Sequence, residues 1–134
     1  MRAAAENKGD VKILAVTVLT SLDRGDLDDL GFDCDVSDLV LSRAKRAVQL
    51  GCDGVVASGQ EAAAMREKLG NSFMVITPGI RPVDNDDDQK RVVTAAQAFT
   101  NGADYIVVGR PIRDAVDPKQ AAEALQAEIS SVFA

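Results

Sequence analysis

The sequence predicts a parallel α/β fold, and three observations support that prediction. Four apolar runs are nearly continuous rather than alternating, which is typical of strands buried on both faces of a parallel sheet. Segments with helical periodicity follow these runs, so that strand and helix alternate. The 134-residue chain is 46% hydrophobic and 27% charged, the balance of a globular protein with a moderate core. We therefore expect one domain, 1–134, of about four strand–helix units.

The predicted strands come first in each unit. Their sequences are VKILAVTVL at 11–19, DGVVAS at 53–58, FMVIT at 73–77 and DYIVVG at 104–109. Three of the four are rich in valine and isoleucine, as expected for buried strands.

The predicted helices carry start and stop signals. Segment 36–51 has one apolar face and ends at Gly51. Ser58 followed by Glu61 predicts a capping box for the next helix, which stops at Gly70. The remaining signals are a capping box of Thr94 with Gln97, and a final helix with Asp117 as its cap and Pro118 at its first position.

The charge balance narrows the classes of function. A net charge of −6 argues against a broad nucleic-acid surface, although one or two placed arginines suffice for a small phosphate. The chain has no histidine, so any acid–base chemistry depends on Lys, Asp, Glu or a thiol. The two cysteines, Cys34 and Cys52, have no metal or redox spacing. No apolar run reaches the ~18 residues of a membrane span, and MRAAAENKGD is no signal peptide, so a cytoplasmic location is expected.

The candidate site lies after the last two strands, because ligands of parallel α/β folds bind at the carboxyl ends of strands. Gly109 lets the backbone approach an oxyanion, and its N–H and that of Arg110 can bind phosphate oxygens. Arg81 offers a forked cation, and Gln89 offers a neutral donor. Thr20 follows the first strand. These residues predict a phosphate site.

Simpler interpretations remain open for each residue. Gly-Arg-Pro after a strand is often only a turn, and Arg81 alone is equally a surface arginine paired with an aspartate. Thr20 is equally a cap for a turn or helix. The acidic run 84–88 is not a calcium loop, because Gln89 stands where glycine is needed and Ala95 where glutamate is needed. We expect a solvated loop there and no metal.

Several stretches in order are similar to one family. ILAVTVLTS, DGVVAS with QEA, VITPGIRP, DDQKRVVTAAQAFTNGADYIVVGRPI and DPKQAAEAL together resemble orotidine 5′-phosphate decarboxylase of the bacterial type. TPGIRP with YIVVGRPI at this spacing is the specific part of the resemblance. It implies the C-terminal half of a (β/α)8 barrel, with residues 1–10 as the remnant of a helix.

The resemblance also implies a function. The family makes UMP and CO2 from orotidine 5′-phosphate in pyrimidine biosynthesis, usually as a homodimer, with no cofactor or metal. It assigns Thr20 to a substrate contact near the pyrimidine and Arg81, Gly109 and Arg110 to the phosphate. Gln89 matches a loop residue that closes over the phosphate.

The catalytic part of the family's pattern is missing. Its Asp-x-Lys-x-x-Asp signature has no counterpart, since Asp10-Val11-Lys12 is followed by Ala15 and precedes its strand. We therefore expect no catalytic residue and no turnover in this chain. Two alternatives remain: a sister activity such as hexulose-phosphate synthase, or a non-catalytic half-barrel that binds phosphate or self-associates through open sheet edges.

Overall fold

A computed structural model describes residues 1–81 and 89–134 of the chain. Pro82 and the acidic run 84–88, predicted as a solvated loop, lie outside the described residues. The strands are β1 Leu14–Val16, β2 Gly54–Val56, β3 Met74–Thr77 and β4 Tyr105–Ile106. The helices are α1 Arg2–Glu6, α2 Arg24–Asp29, α3 Val36–Gln49, α4 Gly59–Leu69, α5 Ala95–Thr100, α6 Arg110–Arg113 and α7 Pro118–Val132.

The four strands form a parallel sheet in the order β1-β2-β3-β4. Ala15, Val55 and Val75 share one register row across the first three strands. The predicted parallel α/β class is therefore confirmed. The strands are shorter than the apolar runs that predicted them, because the ends of each run continue into the connecting loops.

Most helices lie where the sequence predicted them. Thr94 and Gln97 form the predicted capping box of α5, and the Asp117 carboxylate accepts the N–H of Gln120 at the start of α7. Helix α2 was not predicted. Its signal was Asp23 followed three residues later by Asp26, which form a capping box of their own.

The predicted capping box at the start of α4 is wrong. The Ser58 hydroxyl does accept the N–H of Gln60, but the Glu61 carboxylate does not accept the backbone N–H of Ser58, which a box requires. The Glu61 carboxylate instead accepts a hydrogen bond from Arg91. A tertiary ion pair has replaced the Glu61 half of the capping box, and the Ser58 cap remains.

The helices cover one face of the sheet. On β1, Ala15 points into the core while Leu14 and Val16 are exposed, and Tyr105 on β4 is exposed as well. Period-two alternation places the exposed side chains of one strand on the same face. The sheet therefore has an apolar face that no described helix covers. At its sides, β1 and β4 each pair with one strand only among the described residues.

The core has two parts. The larger one lies between β1–β3 and helices α3 and α4, and the smaller one joins α5, β4 and α7. The predicted apolar face of α3 is confirmed, since Val40, Ala44 and Ala47 are fully buried.

Two matching turns lie where strands β2 and β4 begin, at the end of the sheet that we call its amino-terminal edge. Each is a glycine with positive φ, a small residue and an aspartate: Gly51 with Asp53 before β2, and Gly102 with Asp104 before β4. The Asp53 carboxylate accepts the N–H of Ile13 at 2.8 Å, and that of Asp104 accepts the N–H of Val75 at 2.7 Å. Asp53 thereby joins the start of β2 to the start of β1, and Asp104 joins the start of β4 to β3.

Candidate phosphate site

A cavity of about 420 Å³ opens at the carboxyl ends of the strands. All five residues that the sequence singled out line it. They are Thr20, Arg81, Gln89, Gly109 and Arg110. Because these residues follow three different strands, only the parallel arrangement of the sheet brings them together.

Thr20 lies in the loop after β1 and is buried. Its hydroxyl donates to the side-chain carbonyl of Gln89, and its own carbonyl accepts the N–H groups of Lys90 and Arg91. The cap of the nearby helix α2 is Asp23, so Thr20 is not a helix cap. Its contacts run across the cavity wall to the segment that returns after β3.

The turn after β3 brings Arg81 to the cavity. Gly79 has φ of +75°, and a Cβ there would lie 3.1 Å from the carbonyl oxygen of Arg91. This turn therefore requires glycine. Arg81 is only 8% exposed, and its Nη1 donates to the carbonyl of Ile80 at 2.8 Å. The alternative of a surface arginine is thus contradicted by its burial.

Gly109 and Arg110 lie where β4 passes into α6. Helix α6 begins directly at Arg110 and ends at Arg113. A Cβ built on Gly109 would meet no atom within 4 Å, and the backbone there has negative φ. The packing of the described residues therefore does not explain this glycine, whereas close approach of a ligand would.

Sequence reasoning missed Arg113, which also lines the cavity. It forms an ion pair with Asp114 at 2.6 Å on the exposed side of α6. The Arg113 guanidinium lowers the pKa of the Asp114 carboxyl, and the carboxylate raises the pKa of Arg113. The helical spacing of Arg110 and Arg113, three residues apart on one face, was the available signal.

Sequence reasoning also missed the buried pair Arg91 and Glu61. The Arg91 Nη1 lies 2.7 Å from Glu61 Oε1, and both side chains are under 10% exposed. The other guanidinium nitrogens donate to the carbonyls of Val18, Leu19 and Leu22. Arg91 therefore joins the loop after β1 to the start of α4.

Lys90 binds the same loop on its outer side. Its Nζ lies 2.9 Å from carboxylate oxygens of both Asp23 and Asp26. The hydrogen bond from Lys90 lowers the pKa of Asp23 from 3.8 to about 2, helped by the N–H of Asp26. The two carboxylates in turn raise the pKa of Lys90.

The charge of the cavity wall suits an anion. The described lining residues include Arg81, Arg110 and Arg113 but no aspartate or glutamate. Within residues 1–81 and 89–134 there is no group of three or more side chains able to hold a metal ion. None of the helices in these ranges has the length and apolar character required to span a bilayer.

The local imitation of the catalytic signature lies at the other end of the sheet. Lys12 Nζ is 3.7 Å from Asp53, beside the amino-terminal turns. It borders a separate depression lined by residues such as Asp53, Ser72 and Asp104. Asp10-Val11-Lys12 therefore lies at the opposite end of the strands from the candidate phosphate site, as the sequence predicted.

Comparison with known proteins relates this chain to one family. The family model described as Orotidine 5'-phosphate decarboxylase / HUMPS family matches residues 1–125. The orotidine 5'-phosphate decarboxylase of Methylococcus capsulatus is 67% identical over 136 residues, covering 100% of this chain and 56% of that protein. The one from Nitrobacter winogradskyi is 51% identical and covers 99% of this chain and 57% of that protein.

A solved structure gives the same result for the fold. The crystal structure of orotidine 5'-phosphate decarboxylase from Lactobacillus acidophilus matches with a TM-score of 0.70 at 40% identity. The match covers 88% of this chain and 49% of that one. The chain thus spans about half the length of the relatives it matches, and the predicted half of a (β/α)8 barrel is confirmed. By its sequence and its fold, the chain belongs to the orotidine 5'-phosphate decarboxylase / HUMPS family.

Proposed function

We propose that this chain is the phosphate-binding part of an orotidine 5′-phosphate decarboxylase, a carboxy-lyase that releases CO2 and forms UMP in pyrimidine biosynthesis. One observation is the main support for the proposal. Thr20, Arg81, Gln89, Gly109 and Arg110 come from three strand ends and line one cavity. The curated relatives carry the name of this enzyme.

The arginines of the wall hold the phosphate dianion in this proposal. A guanidinium presents parallel N–H groups that match two phosphate oxygens, and its charge persists at every working pH. Arg81 is buried, so little solvent screens its charge. At Gly109 the backbone N–H approaches the same dianion, because open space lies where a Cβ would project.

The rest of the ligand lies along the apolar wall. Val16, Val56 and Val107 line the cavity on the sheet side, and Thr20, hydrogen-bonded to Gln89, lines it as well. A ribose and a pyrimidine would contact these side chains, with Thr20 supplying a polar contact to the base. The proposed ligand thus spans from Thr20 to the arginines.

Turnover requires residues outside this chain. Loss of CO2 leaves a carbanion on the pyrimidine, which a lysine ammonium must stabilise and protonate. The described residues that line the cavity include no lysine and no carboxylate. Contacts to the remote phosphate supply binding energy that is used at the reacting carbon. We propose that the reaction uses no cofactor and no metal.

The uncovered face of the sheet is the proposed contact with other protein. Leu14 and Tyr105, which do not line the cavity, are each more than 40% exposed there. Such a patch, flanked by two open edges, favours association. We propose that the chain, as one partial-barrel domain in the cytoplasm, forms a homodimer or self-associates. Sedimentation velocity should give a species larger than a monomer, and a stable monomer at micromolar concentration would contradict this.

Calorimetric titration with UMP and with uridine tests the proposed ligand. We expect UMP to bind and uridine to bind at least about tenfold more weakly, since the phosphate supplies charge-assisted bonds. Lys119→Ala, which removes an exposed cation on α7 that does not line the cavity, should leave the affinity for UMP unchanged. Equal affinity for UMP and uridine would refute a phosphate site.

A second experiment tests the reaction. The part of the Methylococcus capsulatus relative that this chain does not match would be added in trans, and CO2 release from orotidine 5′-phosphate measured. We expect no release from either part alone and measurable release from the mixture. Release by this chain alone would show that the proposed division of the machinery is wrong.

A further inference from the structure

The Arg91 side chain donates three hydrogen bonds to backbone carbonyls of the loop after β1. Its Nε donates to the Leu22 carbonyl at 3.1 Å, and its Nη2 donates to the carbonyls of Val18 and Leu19 at 3.1 and 2.9 Å. Its Nη1 donates to Glu61 at 2.7 Å. A single buried guanidinium therefore fixes the backbone on both sides of Thr20.

The backbone of the same residue holds the segment that returns after β3. The Arg91 carbonyl accepts the Ser58 hydroxyl at 3.0 Å, and its N–H donates to the Thr20 carbonyl at 3.1 Å. Gln89, two residues earlier, accepts the hydrogen bond of the Thr20 hydroxyl. Any displacement of the Arg91 side chain would thus move Thr20 and Gln89 relative to each other.

Stability alone does not account for the pair. Glu61 Oε2 is buried and accepts no hydrogen bond among the described residues. Burying two charges carries a desolvation cost, and apolar side chains of similar volume commonly stabilise a fold as well or better. The pair is better explained by the direction it imposes on the backbone carbonyls of the loop.

We propose that Arg91, oriented by Glu61, is a positioning residue that holds Thr20 and Gln89 in their hydrogen-bonded arrangement at the cavity wall. Its effect on ligand binding rests on the proposed function, whereas its effect on the two loops does not. Arg91 itself contacts no ligand, because its guanidinium nitrogens are directed at Glu61 and the loop carbonyls behind the wall.

The chain offers a matched control in Arg66. This arginine donates to the carbonyls of Gly102 and Phe73 and to the Asp104 carboxylate, at the amino-terminal edge of the sheet. Arg91→Lys and Arg66→Lys therefore remove the same kind of forked contact, one beside the cavity and one remote from it. Glu61→Gln is the second test variant, because it keeps Arg91 and removes only the orienting charge.

Amide hydrogen exchange provides the first readout. In Arg91→Lys and Glu61→Gln, we expect exchange of the Lys90 and Arg91 amides, which donate to Thr20, to rise at least about tenfold. The amides of Asp53 and Asp104 should keep their protection. In Arg66→Lys, exchange of the Asp104 amide should rise, and the Lys90 and Arg91 amides should keep their protection. Unchanged exchange of the Lys90 and Arg91 amides in both test variants would overturn the proposal.

Affinity for UMP provides the second readout. We expect Arg91→Lys to weaken binding about tenfold, the size of one charge-assisted hydrogen bond, and Arg66→Lys to leave it unchanged. In a Gln89→Ala background the Arg91→Lys effect should shrink, because the residue it positions is gone. Full additivity of the two changes would contradict action through Gln89. If the parent chain binds no UMP, the proposed function fails, and the exchange pattern alone decides the role of Arg91.

Discussion

The amino-terminal and carboxyl edges of the sheet, which are the two ends of its parallel strands, differ in how their charged groups are used. At the amino-terminal edge, Asp53 and Asp104 each accept the N–H of a neighbouring strand and each meet a cation, such as Arg66. At the carboxyl edge, Arg81 and Arg110 face a cavity whose described lining includes no carboxylate. Protein groups satisfy the charges of the first edge, and the second edge is where we propose that an external anion binds.

This difference follows from the direction of parallel strands. All strands begin at one edge, where the first N–H groups need acceptors and an aspartate before the strand supplies one. All strands end at the other edge, where the chain leaves in loops free to vary in sequence. Ion pairs that stabilise the fold lie at both edges, whereas the proposed ligand site lies only at the second. Arg66 at the first edge and Arg91 at the second each donate several hydrogen bonds, so substitutions of these two residues allow the edges to be compared.

The largest expected effect comes from removing Arg91. Arg91→Ala should lower the free energy of unfolding by about 3–5 kcal/mol, because it leaves the Glu61 carboxylate buried without its cation. Arg66→Ala should lower it by only about 1–3 kcal/mol, because its partner Asp104 is 44% exposed and water can replace the lost contact. Urea denaturation measures both. Equal losses would show that burial does not distinguish the two arginines.

The glycines of the two edges should respond in opposite ways. A Cβ on Gly54 would lie 2.6 Å from the Met74 carbonyl oxygen, so Gly54→Ala should cost about 1–3 kcal/mol of stability. Gly109→Ala should change stability by no more than about 0.5 kcal/mol, because its Cβ meets open space. It should nevertheless weaken UMP binding. Thermal unfolding together with calorimetry checks both; a stability loss at Gly109 equal to that at Gly54 would contradict this comparison.

Ligand binding should depend on the carboxyl edge alone. Arg110→Ala should weaken UMP binding by about 1–3 kcal/mol, the range of a charge-assisted bond. Asp104→Asn at the other edge should leave the affinity unchanged while it lowers stability, since it alters the carboxylate that binds Val75 and Arg66. Calorimetry at fixed ionic strength compares them. Comparable loss of affinity in both variants would indicate a general effect of stability on binding.

The smallest expected effect is a pH dependence of the amino-terminal edge. Hydrogen bonds from Lys8 and then from the Ile13 N–H lower the pKa of Asp53 from 3.8 to about 2. A pKa that is lower in the folded state stabilises the protein above about pH 4, and this contribution is lost as pH falls toward 2. Asp53→Asn should therefore make stability less dependent on pH in that window. Urea midpoints measured from pH 5 to 2.5 test this.

A charge-matched control completes the pH experiment. Glu67→Gln, on the exposed side of α4, makes the same change in net charge without touching either edge. We expect its pH dependence to follow that of the parent chain. Identical curves for Asp53→Asn and the parent would show that the amino-terminal turn contributes nothing through its charge.

The repeat at the amino-terminal edge was readable in the sequence but not recognised. Gly51-Cys52-Asp53 and Gly102-Ala103-Asp104 precede strands at equivalent points of their units. The two aspartates were predicted only as the first residues of strands. The hydrogen bonds that Asp53 accepts from Ile13 and Asp104 accepts from Val75 were not predicted. That contact joins residues 40 and 29 positions apart, beyond the reach of local patterns.

Sequence by itself determined the order of the four strands, most of the helices between them and the five residues of the candidate site. Those features depend on local periodicity, capping chemistry and the rule that ligands meet the carboxyl ends of parallel strands. Only the tertiary structure decided that Glu61 pairs with Arg91 and leaves its helix cap incomplete. The physical reason is that a buried charge takes the partner that folding brings to it, and in this chain that partner lies thirty residues away along the sequence.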